Sequence, residues 1–215
     1  MMLENEKLNL VNHFKLPFLF LILFAVWAFM TFSGSLATFD LAGMHLFRAS
    51  AGDPIGPAWF EKLIVGLTHV GDSITLIIVS VVALCLLVFK KQKQNALVFT
   101  GLVGGVFALT PLLKSLFGRA RPDVVDHLVH ASSASFPSGH ALRSAVVYLA
   151  LLTAWQLYSR KGVGLTTRVL VFVLIFGIGL SRVYLGVHWP SDIIASWLLT
   201  FFWFLVWAPL FRKTR

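Results

Sequence analysis

The chain has 215 residues, of which 58% are hydrophobic and only 13% are charged, and its mean hydropathy is +0.83. Because an ordinary soluble domain carries roughly 25% charged residues, this composition excludes a typical water-soluble globule and predicts an integral membrane protein. The net charge of +9 does not indicate a nucleic-acid partner, since the basic residues flank apolar runs. One cysteine excludes a disulfide scaffold, and no Cys/His spacing is typical of structural zinc.

Apolar runs predict six transmembrane helices, since a helix needs roughly 20 apolar residues to cross the hydrocarbon core. The fifth run is long enough only if it includes Arg182, and a charge at such a place invites a functional explanation. No repeat or linker divides the chain, so we expect an all-α membrane protein with one domain over residues 1–215. The predicted spans are 16–39, 73–89, 94–113, 144–159, 169–187 and 193–211.

The basic residues predict the orientation. Most lie near the two termini and in the connections after spans two and four, which the positive-inside rule places in the cytoplasm. The connections 40–72, 114–143 and 182–192 then face outward, and the first of them mixes apolar and charged residues, as short interfacial helices do. A cleaved signal peptide is the alternative for the N-terminus, but the first apolar run exceeds the roughly 7–15 residues of such a signal.

This topology brings three groups of polar residues to the outer membrane surface. Lys114 ends span three, and Arg121-Pro122 follows in a loop, because the residue before a proline disfavours helix. Residues 137–140, Pro-Ser-Gly-His, open span four. Ser181-Arg182 ends span five, and residues 188–192, His-Trp-Pro-Ser-Asp, open span six. The N-termini of helices four and six add positive potential on the same side.

Two histidines in these groups have the surroundings of catalytic groups. Asp192 follows His188 by four residues, so its carboxylate can hold one ring nitrogen and leave the other free to attack an electrophile. His188 is therefore the predicted nucleophile. His140 lies beside Ser138 and Gly139 at another helix start, where it can protonate a leaving oxygen.

Three cations complete the predicted site. Lys114, Arg121 and Arg182 can neutralise the oxygens of a phosphoryl group in transfer, so the reaction requires no metal and no other cofactor. Each cation alone is better explained as a snorkelling or topology-determining residue. Together with two histidines and an aspartate, they indicate phosphoryl chemistry.

The same residues match three motifs of a known family in order and without substitution. The motifs are KxxxxxxRP, PSGH and SRxxxxxHxxxD, found here at residues 114–122, 137–140 and 181–192. The chain resembles the type 2 phosphatidic acid phosphatase superfamily, and its small six-span plan is similar to the bacterial phosphatidylglycerophosphatase B type. This resemblance implies a lipid phosphatase of the cytoplasmic membrane, with a site on the outer face and substrates such as phosphatidylglycerophosphate or undecaprenyl pyrophosphate.

The resemblance also implies a role for each matched residue. His188 would form a phosphohistidine, Asp192 would orient it, and His140 would act first as the acid and then as the base for water. The residues that would bind phosphate are Lys114, Arg121, Ser138, Gly139 and Arg182. We interpret the remaining polar residues of this region, which lie outside the motifs, as solvated loop residues or helix caps, and the alternative is a role in specificity. They are Arg119, Asp123, Asp126, His127, His130 and Arg143.

Two alternatives stay open at this stage. A membrane transporter or channel would also carry intramembrane charges, although it should place some near the midplane rather than all near one interface. The apolar residues of the first outer connection either cover a lateral opening for the lipid or only seal the bundle. The sequence fixes neither the lipid nor the oligomeric state. The residues of the lipid-gate hypothesis are Trp59, Phe60, Leu63 and Leu67, with Arg48 or Lys62 attracting the head group.

Overall fold

The structure, a computed structural model, describes residues 2–50, 52–159 and 162–212, with side chains from Lys15 onward. The regular secondary structure of these ranges is helical apart from one small hairpin, which confirms the predicted all-α class. The elements are α1 (Met2–Phe32), α2 (Ala37–His45), β1 (Arg48–Ser50), β2 (Asp53–Pro54), α3 (Ala58–Val70), α4 (Ser73–Phe89), α5 (Lys93–Phe117), α6 (Gly139–Tyr158), α7 (Leu165–Tyr184), α8 (Pro190–Trp207) and a final 3₁₀ turn (Ala208–Leu210).

The described helices provide five membrane-span candidates, or six if one bent pair is counted as a span. Helices α1, α5, α6, α7 and α8 are each long and apolar enough to cross a membrane, and α3 with α4 forms a sixth candidate bent by 47°. The first span ends at Phe32 rather than at residue 39, because a turn over residues 33–36 precedes α2. Helix α6 begins at Gly139 rather than at residue 144, so His140 and Arg143 are helical.

The first predicted outer connection contains the expected short helices, α2 and α3, and a two-stranded antiparallel hairpin that the sequence did not predict. Arg48 in this hairpin is buried and donates to the carbonyl of Tyr184 (2.7 Å), the last residue of α7. A guanidinium is favourable there because the C-terminus of a helix carries partial negative charge. The expectation that Arg48 is available to a head group is therefore wrong, whereas Lys62 is exposed.

Close packing fixes the separation of helices α5 and α8. A methyl group added at Gly101 would come within 2.4 Å of the Trp207 ring, and one at Gly105 within 2.5 Å of the Trp203 ring. The indole N–H of Trp203 donates to the carbonyl of Leu102 at 2.9 Å. Small residues that admit large rings in this way hold two helices at a short, fixed separation.

The three predicted outer connections meet at one end of the bundle. The backbone N–H of Ser191, at the start of α8, donates to Asp40 of α2 at 2.8 Å. The Trp27 indole of α1 donates to the carbonyl of the same Ser191 at 3.0 Å. Which side of the membrane this end faces stays a prediction. Four of the basic residues on which the predicted orientation rests lie outside the described residues, namely Arg160, Lys161, Lys213 and Arg215.

Candidate active site

The predicted pair of His188 and Asp192 forms at the start of α8. Pro190 is the first residue of the helix, where a missing N–H costs nothing. Oδ2 of Asp192 lies 3.3 Å from Nδ1 of His188 and accepts the backbone N–H of Trp189 at 3.0 Å. Both side chains are buried. A turn at Gly186, whose φ is +80°, brings the chain from α7 to His188.

The His188 ring is neutral. Burial lowers the pKa of His188 to about 3, because the imidazolium loses its water, and the cations Arg182 and Arg121 lower it further while Asp192 opposes them. With its Nδ1–H directed at the carboxylate, the ring presents the lone pair of Nε2 on its other side. A neutral imidazole with a free nitrogen is the form that attacks an electrophile.

Arg121 lies beside Nε2 of His188. Nη1 of Arg121 lies 3.4 Å from Nε2 of His188 and donates to the carbonyl of Val187 at 2.5 Å. Burial lowers the pKa of Arg121, and the Asp192 carboxylate opposes this shift. Arg182 donates from Nη1 to Thr68 at 2.8 Å. Arg121 therefore contacts the predicted nucleophile directly, whereas Arg182 acts on it through its charge and is held by Thr68.

Lys114, Ser138 and Gly139 lie together beside the first turn of α6. Lys114 donates to the carbonyl of Ala134. Ser138 is the N-cap of α6, and its hydroxyl is buried with no hydrogen-bond partner within the described ranges. Nε of Arg182 is in the same state. Because an unpaired buried polar group costs about 1–3 kcal/mol, a ligand oxygen that accepted from both groups would remove this cost.

Arg119 contradicts the sequence-based interpretation of a solvated loop residue or cap. Gly118 ends α5 with a left-handed φ of +57°, which turns the chain so that Arg119 points into the site. Arg119 donates to Oδ1 of Asp192 at 2.5 Å and to Oδ2 of Asp40 at 2.7 Å. Its guanidinium also lies 5.5 Å from the Trp189 ring centroid. It is thus the ion-pair partner of a catalytic candidate.

Three further contacts were not predicted. Ser135 donates its hydroxyl to Oδ2 of Asp192 at 2.5 Å, so this carboxylate is fully engaged. Oδ1 of Asp72 lies 2.5 Å from Nε2 of His140, and Oδ2 of Asp72 lies 2.6 Å from Nδ1 of His69. His188 and His140, the two histidines that we expect to act on phosphate, therefore each have a carboxylate partner.

The remaining residues outside the motifs divide into two groups. Arg143 is half-buried, donates to Ser73 at 2.8 Å and lies 4.9 Å over the Phe107 ring, so the loop interpretation is wrong for it. The loop interpretation is confirmed for four exposed residues, namely Asp123, Asp126, His127 and His130.

The site combines a neutral imidazole, an imidazole with its own carboxylate, and several cations. Within the described part of the chain, no three His, Cys, Asp or Glu side chains are grouped as ligands for a metal ion. Such a set of residues can transfer a phosphoryl group to nitrogen and stabilise the charge on its oxygens.

Residues 94–215 match the PAP2 superfamily, and the chain belongs to this superfamily of membrane lipid phosphatases. It is 33% identical to phosphatidylglycerophosphatase B of Bacillus subtilis over 67% of this chain and 73% of that protein. It is 31% identical to a lipid A 1-phosphatase of Rhizobium etli (71% and 72%) and 30% identical to a putative undecaprenyl-diphosphatase of Escherichia coli (72% and 75%).

A solved structure supports the same assignment. The crystal structure of a transmembrane PAP2-type phosphatidylglycerolphosphate phosphatase from Bacillus subtilis superposes with a TM-score of 0.79 and 25% identity. The match covers 93% of this chain and 99% of that one. The family resemblance predicted from the three motifs is confirmed, and a transporter or channel is not favoured.

Proposed function

We propose that the protein, acting as a single domain over residues 1–215, hydrolyses a phosphate or diphosphate group on a membrane lipid without a metal, through a phosphohistidine on His188. The observation that carries this proposal is the buried His188–Asp192 pair, whose second ring nitrogen, Nε2, lies 3.4 Å from the Arg121 guanidinium. A neutral nucleophile beside a fixed cation suits attack on a phosphorus atom that carries anionic oxygens.

In the first step, Nε2 of His188 attacks phosphorus and the bond from phosphorus to the leaving oxygen breaks. His140 gives its proton to that oxygen, so a monoester releases the neutral lipid alcohol and a diphosphate releases the lipid monophosphate with its leaving oxygen protonated. His188 becomes a phosphoimidazolium, which the Asp192 carboxylate stabilises through Nδ1–H.

In the second step, water attacks the same phosphorus and the bond from nitrogen to phosphorus breaks. His140, now neutral, takes the proton of the water as it adds. Inorganic phosphate leaves, and both histidines return to their starting states. The two steps together consume one water and need no further reactant.

Five groups would bind the phosphoryl oxygens in both steps. Packing gives Gly139 no reason to be glycine, because an added methyl would meet Thr110 at 3.4 Å and Lys114 at 3.7 Å, which are ordinary contacts. Close approach of a phosphate to this backbone N–H supplies the reason. The full set is Lys114, Arg121, Ser138, Gly139 and Arg182.

The relatives' names indicate the class of substrate. They name phosphatidylglycerophosphate, lipid A and undecaprenyl diphosphate, which share a phosphate on a lipid whose chains stay in the bilayer. The head group would approach laterally past α3, where Trp59 and Leu63 are exposed while Phe60 packs against Tyr184. Keeping the chains in the membrane avoids a cost of about 0.8 kcal/mol per exposed CH₂.

The proposed location is the cytoplasmic membrane, with both termini in the cytoplasm and the site on the opposite face. Single cysteines in a Cys85→Ala background test this orientation. Cysteine at Ser132, exposed beside the site, should react with an impermeant thiol reagent added outside intact cells, whereas cysteine at Lys93, exposed at the other end, should not. The reverse pattern would place the chemistry in the cytoplasm.

Phosphate release by the purified protein in detergent tests the activity. A panel of lipid mono- and diphosphates should identify at least one substrate, and His188→Ala should abolish its turnover. Cys85→Ala, far from the site on α4, is the matched control and should retain activity. Absence of release from every lipid phosphate would contradict the proposed function.

A further inference from the structure

We propose that Asp72 is the positioning residue of His140, so that the site contains a second carboxylate–imidazole pair dedicated to proton transfer. This inference rests on the proposed function, because it assigns a role within that reaction. Asp72 lies outside the three sequence motifs, in the short break between α3 and α4.

The Asp72 carboxylate is directed to histidines rather than to its own helix. Asp72 is the N-cap of α4, a position where aspartate usually accepts backbone N–H groups, yet its side chain makes no capping bond there. Its two oxygens lie instead 2.5 Å from Nε2 of His140 and 2.6 Å from Nδ1 of His69. His69 is mostly exposed, whereas the His140 side chain is 24% exposed.

The helix that carries His140 also holds the residues on both sides of Asp72. Tyr148 of α6 donates its hydroxyl to the carbonyl of Val70 at 2.8 Å, and Arg143 of α6 donates to Ser73 at 2.8 Å. A methyl group at Gly71 would come within 2.5 Å of Ile178 on α7, so the break is closely packed. Asp72 is thereby fixed relative to His140, as a positioning residue requires.

The charges around His140 give the carboxylate a definite task. The groups that act on His140 are Arg143 on its own helix, Arg182 on α7 and Asp72, with His69 of α3 behind Asp72. The two arginines repel a protonated imidazole, and Asp72 is the anion that offsets them. A general acid must carry its proton when the substrate binds, so Asp72 favours the state that the first step needs.

The pair also selects the nitrogen that serves the substrate. Because Nε2 of His140 is bound to Asp72, Nδ1 is left to give its proton to the leaving oxygen. His188 has the opposite arrangement, with Nδ1 on the carboxylate and Nε2 turned away from it toward Arg121. Each imidazole is thus held through one nitrogen and works through the other.

Dependence on the leaving group tests this role. The purified protein is assayed with phosphate monoesters whose leaving groups range from p-nitrophenol to an aliphatic alcohol, and kcat/KM is measured because it reports the first step. A good leaving group needs no proton, so Asp72→Asn should lose about 10²-fold or more for the alkyl ester and less than about tenfold for the nitrophenyl ester. An equal loss across the series would overturn the proposal.

Three further variants make the result decisive. Asp53→Asn, which removes an exposed carboxylate from the same connection, should not change the leaving-group dependence. His69→Ala should also leave it unchanged, since the Asp72 charge remains. If Asp72→Asn is not monodisperse in detergent, Asp72→Ser, with a hydroxyl suited to capping α4, replaces it in the same comparison. If kcat/KM of His69→Ala depended on the leaving group as steeply as we expect for Asp72→Asn, the assignment of this role to Asp72 would be overturned.

The same assay separates failure of this inference from failure of the proposed function. If wild-type protein releases no phosphate from any ester, or His188→Ala remains active, the phosphohistidine mechanism is wrong and Asp72 loses its role with it. If the wild type is active, His188→Ala is inactive and Asp72→Asn loses activity equally across the series, only the pairing role is wrong.

Discussion

Arg119 and Asp192 form an ion pair at 2.5 Å, although they are 73 residues apart in the sequence. The pair engages one carboxylate oxygen and leaves the other to His188, Trp189 and Ser135. A buried carboxylate is stable only when paired and hydrogen-bonded, so Arg119 keeps Asp192 charged. It also links Asp192 to Asp40, and so connects α2 to the start of α8.

This pairing predicts a kinetic effect for Arg119→Gln. Since Arg119 acts on the substrate only through Asp192 and His188, we expect kcat to fall by about 10²-fold while KM changes little. Steady-state kinetics with a lipid phosphate measures both constants. Arg168→Gln, at an exposed arginine on the other end of the bundle, is the control and should resemble the wild type. A rise in KM with kcat unchanged would instead make Arg119 a substrate-binding residue.

Two glycine substitutions should have opposite effects. The methyl group of Gly139→Ala meets only ordinary contacts, so this variant should keep the melting temperature of the wild type. By blocking the approach of phosphate, it should lower kcat/KM at least tenfold, a change that corresponds to about 1.4 kcal/mol. Gly101→Ala would place a methyl 2.4 Å from the Trp207 ring, so it should lower the melting temperature. Melting curves and kinetics on both variants make the comparison. Full activity of Gly139→Ala would show that phosphate does not approach this backbone.

Activity should survive chelation of metals. The proposed site neutralises phosphate with Lys114, Arg121 and Arg182, so EDTA should lower turnover less than about twofold. Vanadate, which adopts the geometry of a phosphoryl group in transfer, should inhibit competitively. Strict dependence on magnesium, restored only by adding the ion, would contradict this prediction.

Stability should depend on pH through His188. The pKa of His188 is about 3 in the folded state, below the ordinary value of about 6.5 that the unfolded chain restores. As the pH falls, His188 therefore takes up a proton in the unfolded chain before it does so in the folded protein. The contribution of His188 to the free energy of unfolding is complete above about pH 6.5 and is lost as the pH falls toward 3. Melting temperatures in detergent, measured from about pH 7.5 down to about pH 4.5, cover the upper part of this loss. The melting temperature of His188→Asn should fall less on acidification than that of the wild type. An equal fall in the two proteins would show that burial of His188 does not cause the pH dependence.

The sequence was informative where the determinants are local. Apolar runs and helix-start residues such as Pro190 predicted six spans, and the four-residue spacing of His188 and Asp192 predicted their contact. The contacts of Arg119 with Asp40 and of His140 with Asp72 join residues 79 and 68 positions apart. No periodicity or spacing encodes such contacts, because they depend on how the helices pack.

His188 is the proposed nucleophile, and trapping of its phosphorylated form is the decisive test of this role. Wild-type protein is mixed with a lipid phosphate labelled in its terminal phosphate and quenched within milliseconds in alkali, and the labelled peptide is then sequenced by mass spectrometry. We expect a base-stable, acid-labile phosphate on His188 that is absent from His188→Ala. Turnover by a folded His188→Ala protein, or a label on a different residue, would contradict it.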